Sequence, residues 1–173
     1  MKSSSNRTNL ILIGLPTSGK STAGVLLAKA LGKDFLDTDL LIQSKTGETL
    51  SEIISNEGNA SFLKIEEAVC AGLKVRNTVI ATGGSAVYSE RAMKHLKKTG
   101  PVVYLELDRD TLEKRLHDAR GRGVVLRDGE TLEELFEERT ILYRRYADLT
   151  VREGDGGMEE TVRLVLEALR RLN

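Results

Sequence analysis

Gly14-Leu15-Pro16-Thr17-Ser18-Gly19-Lys20-Ser21 satisfies the pattern G-x-x-x-x-G-K-[ST], directly after the apolar run "NLILI" and before a stretch with helical apolar spacing. Residue types in this order suit the holding of nucleotide phosphates. Gly14 and Gly19 let the backbone aim successive N–H groups inward, and the following helix start adds its positive dipole end. Pro16, Thr17, Ser18 and Thr22 complete the cradle, Lys20 reaches the terminal phosphates, and Ser21 offers a hydroxyl to magnesium. An ordinary glycine turn before a helix explains neither Lys20 nor Ser21. The loop alone leaves open whether the nucleotide is a fuel, a switch or a phosphate donor.

Three further groups of residues bear on that question. Asp37 and Asp39 stand two apart at the end of "DFLDTD", and alternation along an extended backbone would send both to one side. One carboxylate, Asp37, would then help hold magnesium through water, and the other, Asp39, would orient or accept a proton from an attacking hydroxyl. The competing reading is a helix cap. Gly83-Gly84 ends "NTVIATGG", where something approaches closely or the chain turns sharply. Arg115, Arg120, Arg122 and Arg127 gather in and before the glycine-containing stretch His117 to Thr131, which reads as a mobile lid over about 117–130. An arginine carried over a moving phosphoryl group stabilises its charge and excludes water, so Arg122 and Arg115 are assigned to phosphate and the others to the surface. His95 and His117 lack metal-ligand company, and Cys70 falls in an apolar helical stripe with Phe62, Ile65, Val69 and Leu73 as a packing residue.

The elements needed to position these residues follow from periodicity. Strands are expected in "NLILI", "DFLDTD", "NTVIATGG", "GPVVYLELD" and "ADLTV", and helices after the phosphate loop and around 49–56, 59–74, 89–98, 109–117, 131–146 and 158–171. Alternation of this kind predicts an α/β fold with five parallel strands covered on both faces. Its crevice lies at the carboxyl ends of the strands, where Gly14, Asp37, Asp39, Gly83 and Gly84 all fall. The 173 residues, 40% hydrophobic and 30% charged, suit one domain over 9–173 preceded by a loose polar tail over 1–8. The 26 basic residues cancel 26 acidic ones, giving no field to draw the protein onto nucleic acid or an anionic membrane. A lone cysteine, a start without an apolar signal segment and no bilayer-length apolar run predict a cytoplasmic protein, expected to be a monomer.

Together the phosphate loop, "FLDTD", "TGG", the basic lid and "EERTILYRRYADLTV" resemble the shikimate kinase family, over about Asn9 to Leu172. The resemblance implies a three-layer α/β/α P-loop fold of the nucleoside-monophosphate-kinase type, with ATP and Mg2+ and phosphorylation of the 3-hydroxyl of shikimate. Carried over residue by residue, it makes Lys20, Asp39 and Arg122 catalytic, and Ser21 and Asp37 metal-binding. Arg115 would lie beside the adenine, and Asp39, Gly83, Gly84 and Arg139 would meet the acceptor, Arg139 taking its carboxylate.

Three positions depart from the family pattern. Leu63 follows Phe62 where the family has a substrate-clamping arginine, Ser85 replaces the third glycine of a glycine run, and Arg122-Gly123-Val124-Val125 replaces Arg-Pro-Leu-Leu in the lid. Lys64, a helical neighbour, points about 100° away from position 63. A kinase for another small polyol or sugar acid, and a nucleotide-binding regulatory protein, are the alternative readings.

Overall fold

The computed structural model describes residues 8–118, 130–153 and 156–172. Arg122 and the body of the expected lid lie outside these residues. Five strands, β1 (Leu10–Ile13), β2 (Asp34–Asp37), β3 (Thr78–Ala81), β4 (Val102–Glu106) and β5 (Leu149–Arg152), form one parallel sheet in the order β2-β3-β1-β4-β5. Among the described residues seven α-helices and one 3-10 turn (Ala86–Tyr88) accompany them: α1 (Lys20–Leu31), α2 (Thr38–Thr46), α3 (Leu50–Ala71), α4 (Glu90–Thr99), α5 (Arg109–Asp118), α6 (Leu132–Tyr146) and α7 (Gly157–Leu172).

The central strands are buried along nearly their whole length, as parallel strands covered on both faces must be. Period-two alternation divides their side chains between two cores. Ile11, Ile13, Ile80, Val102 and Tyr104 pack with Cys70, Met93, Leu96 and Tyr143 from α3, α4 and α6. Leu10, Leu12, Val79, Val103 and Leu105 pack with Ala23, Leu27 and Val165 from α1 and α7. The chain leaves β1 for β2 on one side and later reaches β4 on the other. The loop after β1 therefore opens at the point where the strand order reverses, the place at which such sheets bind ligands.

Helix starts follow local chemistry. Thr49 and Glu52 form a capping box ahead of α3, and Thr131 and Glu134 form another ahead of α6. The two helices expected at 49–56 and 59–74 are halves of α3 joined by a kink at Gly58, whose φ of 83° takes it out of helical geometry. Helix α2 is absent from the sequence reading. It begins within "DTD", so β2 ends at Asp37 and strand alternation is not what brings the two acids together. Among the described residues no helix is long and apolar enough to cross a membrane. Thr8, expected in the tail, is already held: its carbonyl accepts from Lys33 Nζ at 2.6 Å and its Oγ1 accepts from Asn77 N at 2.9 Å.

At the opposite end of the sheet, buried Asn9 ties the strand starts together. Its Nδ2 donates to Val75 O at 2.9 Å and its Oδ1 accepts from Thr78 N at 3.0 Å. Asn9→Ala leaves an amide and a carbonyl without partners and is expected to lower stability by about 2–3 kcal/mol, read as a reduced urea midpoint with an unchanged slope. A loss below about 0.5 kcal/mol would refute this role.

Candidate active site

The phosphate loop takes its shape from tight backbone packing. A Cβ on Gly14 would stand 2.7 Å from Leu105 O on β4, and the loop passes through left-handed conformations at Thr17 (φ 66°) and Gly19 (φ 77°). Gly19 caps α1 without a side-chain hydrogen bond, and the first turn carries no acid. The helix start keeps its positive end for an anion. Lys20 is buried beneath the loop, and its Nζ donates to Gly14 O at 2.8 Å, Leu15 O at 2.7 Å and Ser18 Oγ at 3.4 Å. Burial pushes the ammonium down to about 8, against the opposing pull of Asp39 and Asp37.

Asp37 is both a helix cap and a cleft residue. Its Oδ1 accepts from the N–H groups of Asp39 at 2.9 Å and Leu40 at 3.3 Å, capping α2, while its Oδ2 accepts from Ser21 Oγ at 2.5 Å. Capping the helix therefore does not remove this acid from the cleft. Asp39 lies in the first turn of α2, and its Oδ1 is buried without a hydrogen-bond partner. Burial raises its pKa to about 6, the charge on Asp37 adds to the effect, and Lys20 works the other way.

A cleft of about 630 Å³ joins these parts, lined by Pro16, Thr17, Lys20, Asp37, Asp39, Leu50 and Gly84 among others. A small recess deepens it between Phe62, Glu66, Gly83, Ser85 and Arg139. Two backbone groups of Gly83 and Gly84 are already engaged. The Gly83 N–H donates to Thr38 Oγ1 at 3.0 Å, and the Gly84 carbonyl accepts from Tyr143 Oη at 2.6 Å. The two glycines also leave room, since a Cβ on Gly83 would collide with Glu66 and Asp39, and one on Gly84 would press on Pro16 and Arg139. Arg139, 1% exposed on α6, donates from Nε to Tyr88 Oη at 3.2 Å, with its guanidinium over the Tyr88 ring.

Leu63 is partly buried and packs against the cluster of Ile42, Ile53, Phe62 and Val69, and Lys64 is exposed. Lys64 therefore does not take the place of a cation at 63. Among the described residues, Arg139 is the only guanidinium lining cleft or recess.

The residue that sequence reasoning missed is Glu66. It is 1% exposed, accepts from Ser85 Oγ at 2.5 Å, and is pushed up to about 7 by burial, although the Ser85 hydrogen bond favours its charged form. A signal existed: Glu66 stands one helical turn after Phe62, an acid inserted on an otherwise apolar face.

Arg115 reaches the loop from α5, donating to Thr17 O at 3.0 Å and to Glu153 Oε1 at 2.6 Å. Met158 from α7 comes down beside Gly19. These residues border the other side of the loop. A separate hollow of about 560 Å³ is lined by Arg109, Arg144, Arg152 and Phe136 among others, with Arg109 engaged by Glu113 and Glu133 and Arg144 by Glu106. Among the described residues, no three His, Cys, Asp or Glu side chains form a metal-ligand group.

Comparison with known proteins agrees with this geometry. The family model described as shikimate kinase matches residues 16–170. A shikimate kinase of Thiobacillus denitrificans is 39% identical over 173 residues, covering 96% of this chain and 94% of its own length. That of Methylococcus capsulatus is 36% identical, with the same coverage of both chains. The structure of shikimate kinase from Acinetobacter baumannii in complex with shikimate superposes with a TM-score of 0.86 at 31% identity, covering 98% of this chain and 96% of that one. Similarity over essentially the whole length, on a crevice built from the same loop, acids and arginine that carry the resemblance, makes this chain a member of the shikimate kinase family.

Proposed function

We propose that the protein transfers the terminal phosphoryl group of ATP to the 3-hydroxyl of shikimate. The observation that carries the reading is one cleft holding a phosphate loop, a carboxylate without a partner and a buried guanidinium: Lys20, Asp39 and Arg139. A relative solved with shikimate, similar over the full chain, supports that acceptor.

In this reading the loop N–H groups and Lys20 hold the phosphates, the ammonium exchanging its contacts with the loop carbonyls for phosphate oxygens. Ser21 Oγ and Asp37 Oδ2, 2.5 Å apart, are hard oxygen donors of the kind magnesium takes, and would hold the ion with the help of water. Bound there, magnesium neutralises phosphate charge. Asp39 accepts from the acceptor hydroxyl and aligns it with the phosphoryl group; because the transition state is loose, orientation counts for more than base strength. Arg139 takes the acceptor's carboxylate in a charge-assisted pair. Arg115, fixed by Glu153, borders the base, and Arg122 would come over the transferring group from the lid. The protein would act as a cytoplasmic monomer, without nucleic acid or membrane partners.

Leu63 favours a second reading, in which the acceptor is a related small polyol or sugar acid. With one guanidinium in the recess among the described residues, an anionic acceptor is held there by fewer charges. Leu63→Arg is expected to lower the KM of shikimate by about tenfold or more without changing that of ATP. No change would place the side chain at 63 outside the acceptor's reach. A panel of hydroxylated acids in a coupled ADP-release assay then ranks the acceptors; ADP release indifferent to all of them would favour a regulatory nucleotide-binding protein.

Lys20→Ala and Asp39→Asn should each lower turnover by about a thousandfold or more while circular dichroism and thermal unfolding remain native-like. Undiminished turnover in both would refute the mechanism. The pH profile follows from the two shifted groups. Below about 6 Asp39 takes up a proton and kcat/KM for the acceptor falls; above about 8 Lys20 loses one and kcat/KM for ATP falls. A profile flat from about pH 5 to 9 would contradict both assignments.

A further inference from the structure

The hollow between the ends of β4 and β5 and the helices α5 and α6 shares no lining residue with the cleft or its recess. At about 560 Å³ it has room for a small molecule. Three arginines and three acids line it, and most of them are occupied. Arg109 pairs with Glu113 and Glu133, and Arg144 pairs with Glu106 at 2.8 Å. Asp108 accepts from Thr111 N at 2.9 Å and from Thr111 Oγ1 at 2.8 Å, at the start of α5. Arg152 and Glu137 remain, both exposed and without a hydrogen bond or ion pair among the described residues, although the charges of Asp108 and Arg152 act on one another. Beside them stands an apolar wall, in which Phe136 is partly buried and Ile141 is 69% exposed. The floor is Thr140, 8% exposed, whose hydroxyl lies beside that of Tyr104. Neither hydroxyl has another hydrogen-bond partner, so one O–H of the pair lacks an acceptor.

We infer that this hollow binds a zwitterion with a large apolar side chain, a free α-amino acid in chemical class. Its carboxylate pairs with Arg152, its ammonium pairs with Glu137, and its side chain covers Ile141 and Phe136. The lining decides the class. Arginines and acids are equal in number there, so a polyanion such as a second nucleotide meets no net positive field. One guanidinium and one carboxylate left over call for a group of each sign on a single ligand, each able to form a charge-assisted hydrogen bond. Ion pairs at exposed side chains contribute little by themselves, and covering the aliphatic wall supplies the rest of the driving force. The carboxylate is also the kind of acceptor that the floor lacks. Arg152 directly precedes Glu153, the acid that fixes Arg115 against the phosphate loop, and Glu137 lies two residues before Arg139. The ligand therefore bridges β5 and α6 without entering the cleft.

The chain contains no tryptophan, so free L-tryptophan is a probe whose own fluorescence reports its binding. Titrated with the unaltered protein, its anisotropy is expected to rise along a saturable curve with a Kd below about 1 mM. L-phenylalanine should displace it. Glycine without the apolar body, tryptamine without the carboxylate and indole-3-propionate without the ammonium should each do so at least about tenfold less effectively. Arg152→Ala and Glu137→Gln, both at exposed positions, should each weaken binding about tenfold, and Ile141→Ser about threefold. Arg145→Ala, exposed on α6 but outside the hollow, should leave it unchanged. Saturating ATP should alter the Kd by less than about twofold, and thermal unfolding checks that each variant is folded. No saturable binding up to about 10 mM, or an unchanged Kd in both Arg152→Ala and Glu137→Gln, overturns the site. Displacement by ATP places the probe in the cleft and overturns it as well, and displacement by tryptamine or indole-3-propionate as effective as that by L-phenylalanine overturns the zwitterion.

Discussion

One carboxylate joins the two halves of the crevice. Asp37 caps α2 with Oδ1 and receives the Ser21 hydroxyl with Oδ2, so the helix that follows the phosphate loop and the helix that carries Asp39 are tied at a single side chain. Behind it, β2 reaches β1 only through β3, which sets the distance between the loop and the acids. Without this joint, α1 and α2 would meet the cleft independently. With it, the phosphate loop and Asp39 share one frame.

Four charged side chains are gathered where water is scarce. Lys20, Asp39, Glu66 and Arg139 act on one another electrostatically, and burial shifts three of them toward their neutral forms: Lys20 down, Asp39 and Glu66 up. Such a cluster costs stability, because desolvation of each charge is only partly offset by its neighbours. Unpartnered oxygens at Asp39 and Glu66 are a further cost. A folded chain retains groups of this kind where a ligand completes them, and the core of α3, α4 and α6, with Tyr143 stacked on Tyr104 and its hydroxyl on the Gly84 carbonyl, holds the recess open against collapse.

Much of this is legible in the sequence alone. The five strands, their parallel arrangement, all but one of the helices and the phosphate loop follow from periodicity and from the spacing of Gly14, Gly19, Lys20 and Ser21. Helix α2 was not legible, because "DTDLLIQSKT" carries only the short apolar run Leu40 to Ile42 and its cap, Asp37, had a competing reading as a cleft acid. Glu66 was hidden for a related reason. On a helix face read by its apolar residues, an acid one turn after Phe62 looks like an interruption until Ser85, nineteen residues later, is found bonded to it.

Local rules are enough for what depends on neighbours in the chain: a glycine-bracketed loop, capping threonines at 49 and 131, apolar strands in alternation. The sequence by itself therefore determined the α/β architecture, the phosphate loop and the family. Only the tertiary structure decided which groups share the crevice. Arg139 reaches Tyr88 across 51 residues, Tyr143 reaches Gly84 across 59, and Arg115 reaches Thr17 across 98. These contacts arise where helices from different parts of the chain pack on one sheet, and hydrophobic periodicity specifies that packing without naming the polar partners it brings together.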